Sequence, residues 1–224
     1  MSTPLYPSAT ASVESISSTQ RVLKNTYGLL SMTLLFSAFT AWLSMALNLP
    51  HPGLILTLVG YMGLLWGVQK TAQSAWGLLL IFAFTGFMGL TLGPVISAYA
   101  QHFKNGHQLV MLALGGTGAI FLGLSAYVLT TRKDFSFIGG FVMAGVLVAF
   151  IASLAAVLFQ IPLLSLAVSA MFVMLMSGMI LWQTSEIIHG GETNYILATV
   201  SLYVSIYNLF ISLLQLLGFL SGDD

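Results

Sequence analysis

Long runs of apolar residues, separated by short polar breaks, make up most of the chain after residue 20. A helix needs about 20 apolar residues to cross a bilayer core of about 30 Å, and these runs have that length. Their apolar character is continuous, whereas the strands of a membrane β-barrel alternate between apolar and polar residues. The pattern therefore predicts an all-α integral membrane protein with seven transmembrane helices, at 27–48, 53–69, 75–100, 108–129, 137–160, 162–182 and 194–219.

The third predicted helix contains Gly93 and Pro94 in its interior. Proline has no backbone N–H, so it leaves the carbonyl four residues earlier without its helical partner. Inside a membrane, a neighbouring helix can satisfy that carbonyl. We therefore predict one continuous span with a kink at Gly93 and Pro94.

Residues 1–20 differ from the rest of the chain, because nine of them are Ser or Thr and none lies in an apolar run. Such a segment cannot bury a core, so we predict a disordered N-terminal tail followed by a transmembrane domain at 21–224.

Positive charges mark the cytoplasmic side of membrane proteins. Five of the six fall on the side of the N-terminus, namely Arg21, Lys24, Lys70, Arg132 and Lys133, and only Lys104 falls on the other. We expect a cytoplasmic N-terminus and a C-terminus on the outer side of the membrane.

The composition excludes several classes of protein. Only 5% of the residues are charged, against about 25% in a soluble domain, and 58% are hydrophobic. The net charge is zero, so there is no basic footprint for nucleic acid. There is no cysteine, and the histidines and the cluster of Glu186, His189 and Glu192 fall in predicted loops. We expect no enzyme, no cofactor and no metal site, and the sequence leaves the oligomeric state open.

A polar stripe runs along the last predicted helix, at spacings of four, three, four and three residues: Ser201, Ser205, Asn208, Ser212 and Gln215. These side chains lie within about 80° of one another around a helix. Since such a stripe does not face lipid, we predict that this helix lies inside the bundle. The first helix has a weaker stripe of the same kind at Thr33, Ser37, Thr40 and Ser44. Two interpretations remain open, which are close packing through small hydroxyl residues and a path for water or ions.

Small residues recur at the spacing that lets helices approach closely. We expect packing faces at three places: Gly60, Gly63 and Gly67; Gly86, Gly89 and Gly93; and Gly115, Ala119 and Gly123.

Several local strings resemble one known family. They are Leu92-Gly93-Pro94, the loop Arg132-Lys133-Asp134-Phe135-Ser136 before Gly139-Gly140, and the segments 187–196 and 201–210. These strings are similar to the Bax inhibitor-1 (TMBIM) family over about residues 20–220. The resemblance implies a seven-helix bundle in which six helices surround the last one.

The same resemblance implies two alternative functions. Members of the family are described as calcium-leak channels, gated by protons through two aspartates in the sixth and seventh helices. The matching positions here are Gln183 and Ser205, which cannot titrate, whereas Asn208 keeps the family pattern. The segments 187–196 and 201–210 are most similar to a bacterial branch that modulates the inner-membrane protease FtsH and is itself its substrate. The resemblance therefore implies FtsH as partner, and a calcium or ion leak without its acid pair as the alternative.

Overall fold

The computed structural model describes residues 9–222, with the backbone alone for residues 9–17. This part of the chain forms seven α-helices: α1 Ala9–Ala46, α2 Leu54–Thr71, α3 Ala75–His102, α4 Gly106–Thr131, α5 Gly139–Leu158, α6 Pro162–His189 and α7 Tyr195–Ser221, with a 3-10 helix at Ser136–Ile138 before α5. Each of the seven contains a segment long and apolar enough to cross a membrane. The prediction of a seven-helix membrane protein is confirmed.

The N-terminal boundary differs from the predicted one. Helix α1 begins at Ala9, so residues 9–20, which we predict as part of a disordered tail, are helical. A helix that is already nucleated gains one hydrogen bond for each further residue, so it can extend into a polar segment with no core to bury. Residues 1–8 lie outside the described residues, and for them the tail stays a prediction.

Helix α7 lies at the centre of the bundle, as predicted. It packs against α1, α2, α3, α4 and α6, and its buried residues include Leu202, Tyr203 and Leu209. Helix α5 is peripheral, because it packs against α6 and the 3-10 helix and does not contact α7. The implied arrangement of six helices around the last one is therefore corrected to five.

Helices α1 and α3 make the closest interface, through the predicted glycine face of α3. A side chain at Gly86 would meet the ring of Phe36, and one at Gly89 would overlap the carbonyl group of Ser37. With no side chain on α3 at these points, the two backbones approach closely enough for α1 to fill the space. In lipid, apolar surface alone does not drive helices to associate, so this close packing is what holds α1 and α3 together.

The carbonyl that Pro94 releases has a partner on the neighbouring helix. Pro94 lies inside the continuous helix α3, and its missing N–H leaves the carbonyl of Leu90 free. Ser44 Oγ on α1 donates a hydrogen bond to that carbonyl oxygen at 2.9 Å. The side chain of Ser44 reaches it because Gly93 has no Cβ to block the approach.

Replacing Ser44 with alanine should therefore destabilise the bundle. The Leu90 carbonyl would lose its hydrogen bond to α1, at an expected cost of about 1 kcal/mol. The measurement is thermal unfolding of Ser44→Ala in detergent. The control is Ser31→Ala, because Ser31 is exposed and bonds only within its own helix. Equal melting temperatures for the two variants would contradict the assigned role.

The other predicted glycine faces give mixed results. Gly60 of α2 does face α3, where an added Cβ would overlap the ring of Phe87. Gly115 and Gly123 of α4 have no atom within 4 Å of the added Cβ, so the prediction of an internal packing face there is wrong. Helix α4 instead buries a face that includes Ala113 and Thr117, because this side is the one that meets α6 and α7.

Candidate functional site

The loops between helices gather at two opposite ends of the bundle. One end, here called the N-end, carries the α2–α3, α4–α5 and α6–α7 loops. Two hydrogen bonds hold these loops together there, from Asn194 Nδ2 to the Ala72 carbonyl at 2.9 Å and between His189 Nε2 and the Arg132 carbonyl at 3.2 Å. The α1–α2, α3–α4 and α5–α6 loops and the end of α7 lie at the other end, the C-end.

The two positions that the resemblance matches to the family's aspartates are in contact. Ser205 Oγ of α7 donates to Gln183 Oε1 of α6 at 3.1 Å. Only 8% of Gln183 and 1% of Ser205 are exposed. The pair is a neutral hydrogen bond between two helices, and neither side chain can gain or lose a proton near neutral pH.

The contact depends on the true length of α6. The sequence predicts that the sixth helix ends at 182, which would put Gln183 at its tip, but α6 continues to His189. Gln183 therefore lies about 10 Å below the α6–α7 turn, while Ser205 lies about 15 Å below it, at 1.5 Å per residue. The two antiparallel helices bring these side chains to similar depths without any irregular turn in α7.

The rest of the polar stripe does not join this pair through its side chains. Ser201 contributes its carbonyl oxygen, which also accepts from Ser205 Oγ at 3.1 Å. The Asn208 side-chain amide donates a hydrogen bond to the Val204 carbonyl of its own helix. Ser212 is buried, and Gln215 accepts from Ser169 Oγ of α6 at 2.7 Å. Local bonds of this kind favour the packing interpretation of the stripe.

The stripe of the first helix behaves in the same way. Thr33, Ser37, Thr40 and Ser44 are all buried. Ser37 Oγ lies 2.6 Å from the Tyr203 hydroxyl of α7, and that hydroxyl donates to the Thr85 carbonyl of α3 at 3.3 Å. A hydrogen-bonded link therefore joins α1, α3 and α7 in the middle of the bundle.

The loop signature of Arg132, Lys133 and Asp134 is fixed through its backbone. Arg132 ends α4 in the left-handed conformation, at φ 51°. Ser185 Oγ of α6 accepts from the Phe135 backbone N–H at 2.9 Å and lies 3.5 Å from the Lys133 carbonyl. Asp134 accepts from the Ser136 N–H at 2.8 Å, and this hydrogen bond is the main cause that lowers the pKa of its carboxyl group.

The predicted loop cluster of Glu186, His189 and Glu192 is not a cluster in the structure. Glu186 and His189 belong to α6, since its last turns are polar but remain helical. Glu186 accepts from Trp182 Nε1 at 3.1 Å, and Glu192 accepts from the Asn194 backbone N–H at 2.7 Å. Each acid thus bonds to its own stretch of chain, so the three groups do not share a ligand.

Sequence reasoning missed two residues that organise the N-end, Ser185 and Asn194, and it placed His189 in a loop rather than on α6. Ser185 and His189 face the α4–α5 loop from one side of α6, and their four-residue spacing is the signal that could have identified them. Asn194 caps α7, accepting from the N–H groups of Ile196 and Leu197. An Asn just before an apolar run is a recognisable N-cap, but its second bond to Ala72 depends on the tertiary fold.

These features define a multi-pass α-helical membrane protein whose last helix is the centre of the bundle. The family model described as "Inhibitor of apoptosis-promoting Bax1" matches residues 19–222. The chain therefore belongs to the Bax inhibitor-1 family.

Individual relatives cover nearly the whole chain. A protein of Escherichia coli K12 named "Modulator of FtsH protease YccA" is 56% identical over 209 residues, which are 93% of this chain and 94% of that protein. A protein of E. coli O6:H1 named "Inner membrane protein YccA" has the same identity and coverage. An uncharacterized protein of Pseudomonas aeruginosa is 55% identical over 203 residues, or 91% of each chain.

Proposed function

We propose that this chain is a regulatory protein of the bacterial inner membrane that binds the protease FtsH, modulates its action on other membrane proteins and is itself a substrate. The observation that carries the proposal is the 56% identity to the E. coli modulator over 93% of the chain. At this similarity, the relative and this chain share one fold with matching helices and loops. The proposed role is regulatory rather than catalytic.

The chemistry of the bundle interior supports a binding role. The only pair of positions at which the family would carry two acids holds an uncharged bond between Gln183 and Ser205. Among the described residues, no three His, Asp or Glu side chains come together as a metal-binding group. The structured loops of the N-end, held by Ser185, His189 and Asn194, give a defined surface on the side that we assign to the cytoplasm.

Degradation kinetics in proteoliposomes test the proposal. FtsH and a second membrane substrate are reconstituted with increasing amounts of this chain, and the loss of both proteins is followed over time. We expect slower degradation of the second substrate and ATP-dependent loss of this chain. A proteolytically inactive FtsH is the control for the loss of both proteins. If the second substrate is degraded at the same rate at every ratio, the proposal fails.

The orientation is part of the proposal, and reporter fusions test it. The positive charges of the N-end support a cytoplasmic position for it, and the proposed orientation puts the C-terminus in the periplasm. A reporter fused after Gly222 should be active only in its periplasmic form, and one inserted after Lys70 only in its cytoplasmic form. A cytoplasmic C-terminus would contradict the assigned orientation.

Removal of residues 2–18 should slow degradation by FtsH without unfolding the bundle. The apolar run of the first span begins at about residue 27, so the deletion removes no part of that run. A protease that pulls its substrate in from one end needs a polar terminal segment that it can grip first. Polar termini are preferred sites for the start of proteolysis. The measurement is the half-life of the deletion variant beside the full chain, with melting temperature as the folding control. An unchanged half-life would refute the role of this segment.

The alternative function is a calcium or ion leak, favoured by membership of the family. The specific observation is the polar stripe on the central helix, from Ser201 to Gln215. Its polar side chains bond to α7 itself or to α6, and no acidic side chain takes part in these bonds. Calcium flux into liposomes that contain only this chain separates the two functions.

A further inference from the structure

A cavity of about 490 Å³ opens at the N-end, away from the Gln183–Ser205 pair. Its walls come from the start of the first membrane span, the end of α4 and the α6–α7 turn. The polar part of the wall includes Gln20, Arg132 and His189, and the apolar part consists of Leu23, Leu129 and Ile188. The cavity therefore has a polar region beside the loops and an apolar region beside the helices.

The polar part of this cavity suits an anion. Arg132 and His189 line it, and no Asp or Glu lines it among the side chains that the structure describes, which begin at Ser18. The described acids of the neighbouring loops are engaged elsewhere, Asp134 with the Ser136 N–H and Glu192 with the Asn194 N–H. An arginine without a carboxylate beside it presents a fork of N–H donors that matches a phosphate group.

Arg132 is held in place by its backbone. Its φ of 51° lies in the left-handed region, which a residue other than glycine occupies only when its surroundings fix it. Its N–H donates to the Val128 carbonyl at 2.8 Å, and its own carbonyl is bonded to His189 Nε2. His189 Nδ1 lies 2.9 Å from the Ser185 carbonyl. The base of the Arg132 side chain is thus fixed beside the cavity before any ligand arrives.

The apolar part of the cavity distinguishes a lipid from a soluble anion. Leu23, Leu129 and Ile188 belong to membrane-spanning helices, so this wall continues towards the hydrocarbon region. At the same end of the bundle, Lys70 Nζ lies 4.2 Å from the centre of the Trp66 ring, and both residue types are common at the membrane surface. A phospholipid places a phosphate at that level and an acyl chain directly below it.

We propose that this cavity binds an anionic phospholipid, with the phosphate at Arg132 and the upper acyl chain along Leu23, Leu129 and Ile188. The site is independent of the proposed action on FtsH. A bound lipid would join the first turns of the α1 span to the α4–α5 and α6–α7 loops.

Native mass spectrometry and thermal unfolding of the full chain in detergent test the site, with palmitoyl-oleoyl phosphatidylglycerol, palmitoyl-oleoyl phosphatidylcholine and inorganic phosphate as separate probes. We expect a bound adduct and a higher melting temperature with phosphatidylglycerol alone. Arg132→Gln should weaken that binding about fivefold, the effect of one basic residue near an anionic membrane surface. Arg132→Lys should restore most of it, because the charge is kept.

Two further variants make the result independent of any folding defect at Arg132. Lys70→Gln removes a positive charge at the same end but outside the cavity, so it should bind phosphatidylglycerol like the unmodified chain. Gln20→Glu adds a negative charge to the opposite wall at an exposed position and should weaken binding. Equal binding of both phospholipids, equal loss in Lys70→Gln, or the same stabilisation by inorganic phosphate alone would overturn the proposal.

Discussion

Replacing Gly89 with valine should unfold the protein or leave it strongly destabilised, by about 3 kcal/mol, the upper range for overpacking of a core. Even the Cβ would overlap the carbonyl of Ser37 and the hydroxyl of Thr40 on α1. A flexible side chain could move aside, but a backbone carbonyl inside a helix cannot. Helix α1 would have to separate from α3, and the contacts of both helices along this interface would weaken.

The matched control is Gly63→Val, which makes the same change in another membrane-spanning helix. An added Cβ at Gly63 meets no atom within 4 Å, so this variant should keep the melting temperature of the unmodified chain within a few degrees. Thermal unfolding in detergent, followed by circular dichroism, compares the two. Similar stability of both variants would show that the α1–α3 interface tolerates separation and would contradict the packing described here.

Installing two acids, as Gln183→Asp together with Ser205→Asp, should create a response to pH that the unmodified chain lacks. Ser205 Oγ and Gln183 Oε1 lie 3.1 Å apart, and two buried carboxyl groups this close share a proton instead of both ionising. Loss of the shared proton would place two negative charges side by side and push α6 and α7 apart. In the unmodified chain, any calcium flux should be small and flat between about pH 6 and 8, because neither group titrates.

Calcium flux into liposomes at a series of pH values is the measurement. The single variants Gln183→Asp and Ser205→Asp are the controls, since one acid beside a neutral partner has no second carboxylate to repel. We expect a clear pH dependence in the double variant alone. A steep pH-gated flux through the unmodified chain would contradict the idea that this site is neutral.

The number of helices was predictable from sequence because each apolar run has the length of a bilayer. The ends of the helices were less predictable, and α6 shows why. The apolar signal stops at Trp182, but the helix continues to His189 because Gln183, Ser185 and His189 have partners on α7 and on the α4–α5 loop. A prediction based on hydropathy counts polar residues as outside the membrane, even when they are hydrogen-bonded inside the protein. It therefore ends such a helix too early.

Some contacts of the candidate sites were predictable from sequence, and others were not. The contact between Gln183 and Ser205 could be expected from the resemblance to the family, since it places two acids at those positions. The partners of the Arg132 and Ala72 carbonyls could not be predicted, because their acceptor role appears only when a distant side chain is brought to them. For Leu90, Pro94 predicts the free carbonyl but not that Ser44 is the residue that reaches it. The small residues of α4 had the right spacing, but spacing alone does not tell which side of a helix faces its neighbours.

The central position of α7 has a consequence for biosynthesis. The ribosome makes this helix after α1 to α6. Until Tyr195–Ser221 is inserted, the faces of α1, α3, α4 and α6 that pack on it have no partner, and the hydroxyl of Tyr203 is absent from the link between Ser37 and Thr85. The earlier helices can pair where they contact one another directly, as α1 and α3 do, but their packing around the centre of the bundle forms only when α7 enters the membrane.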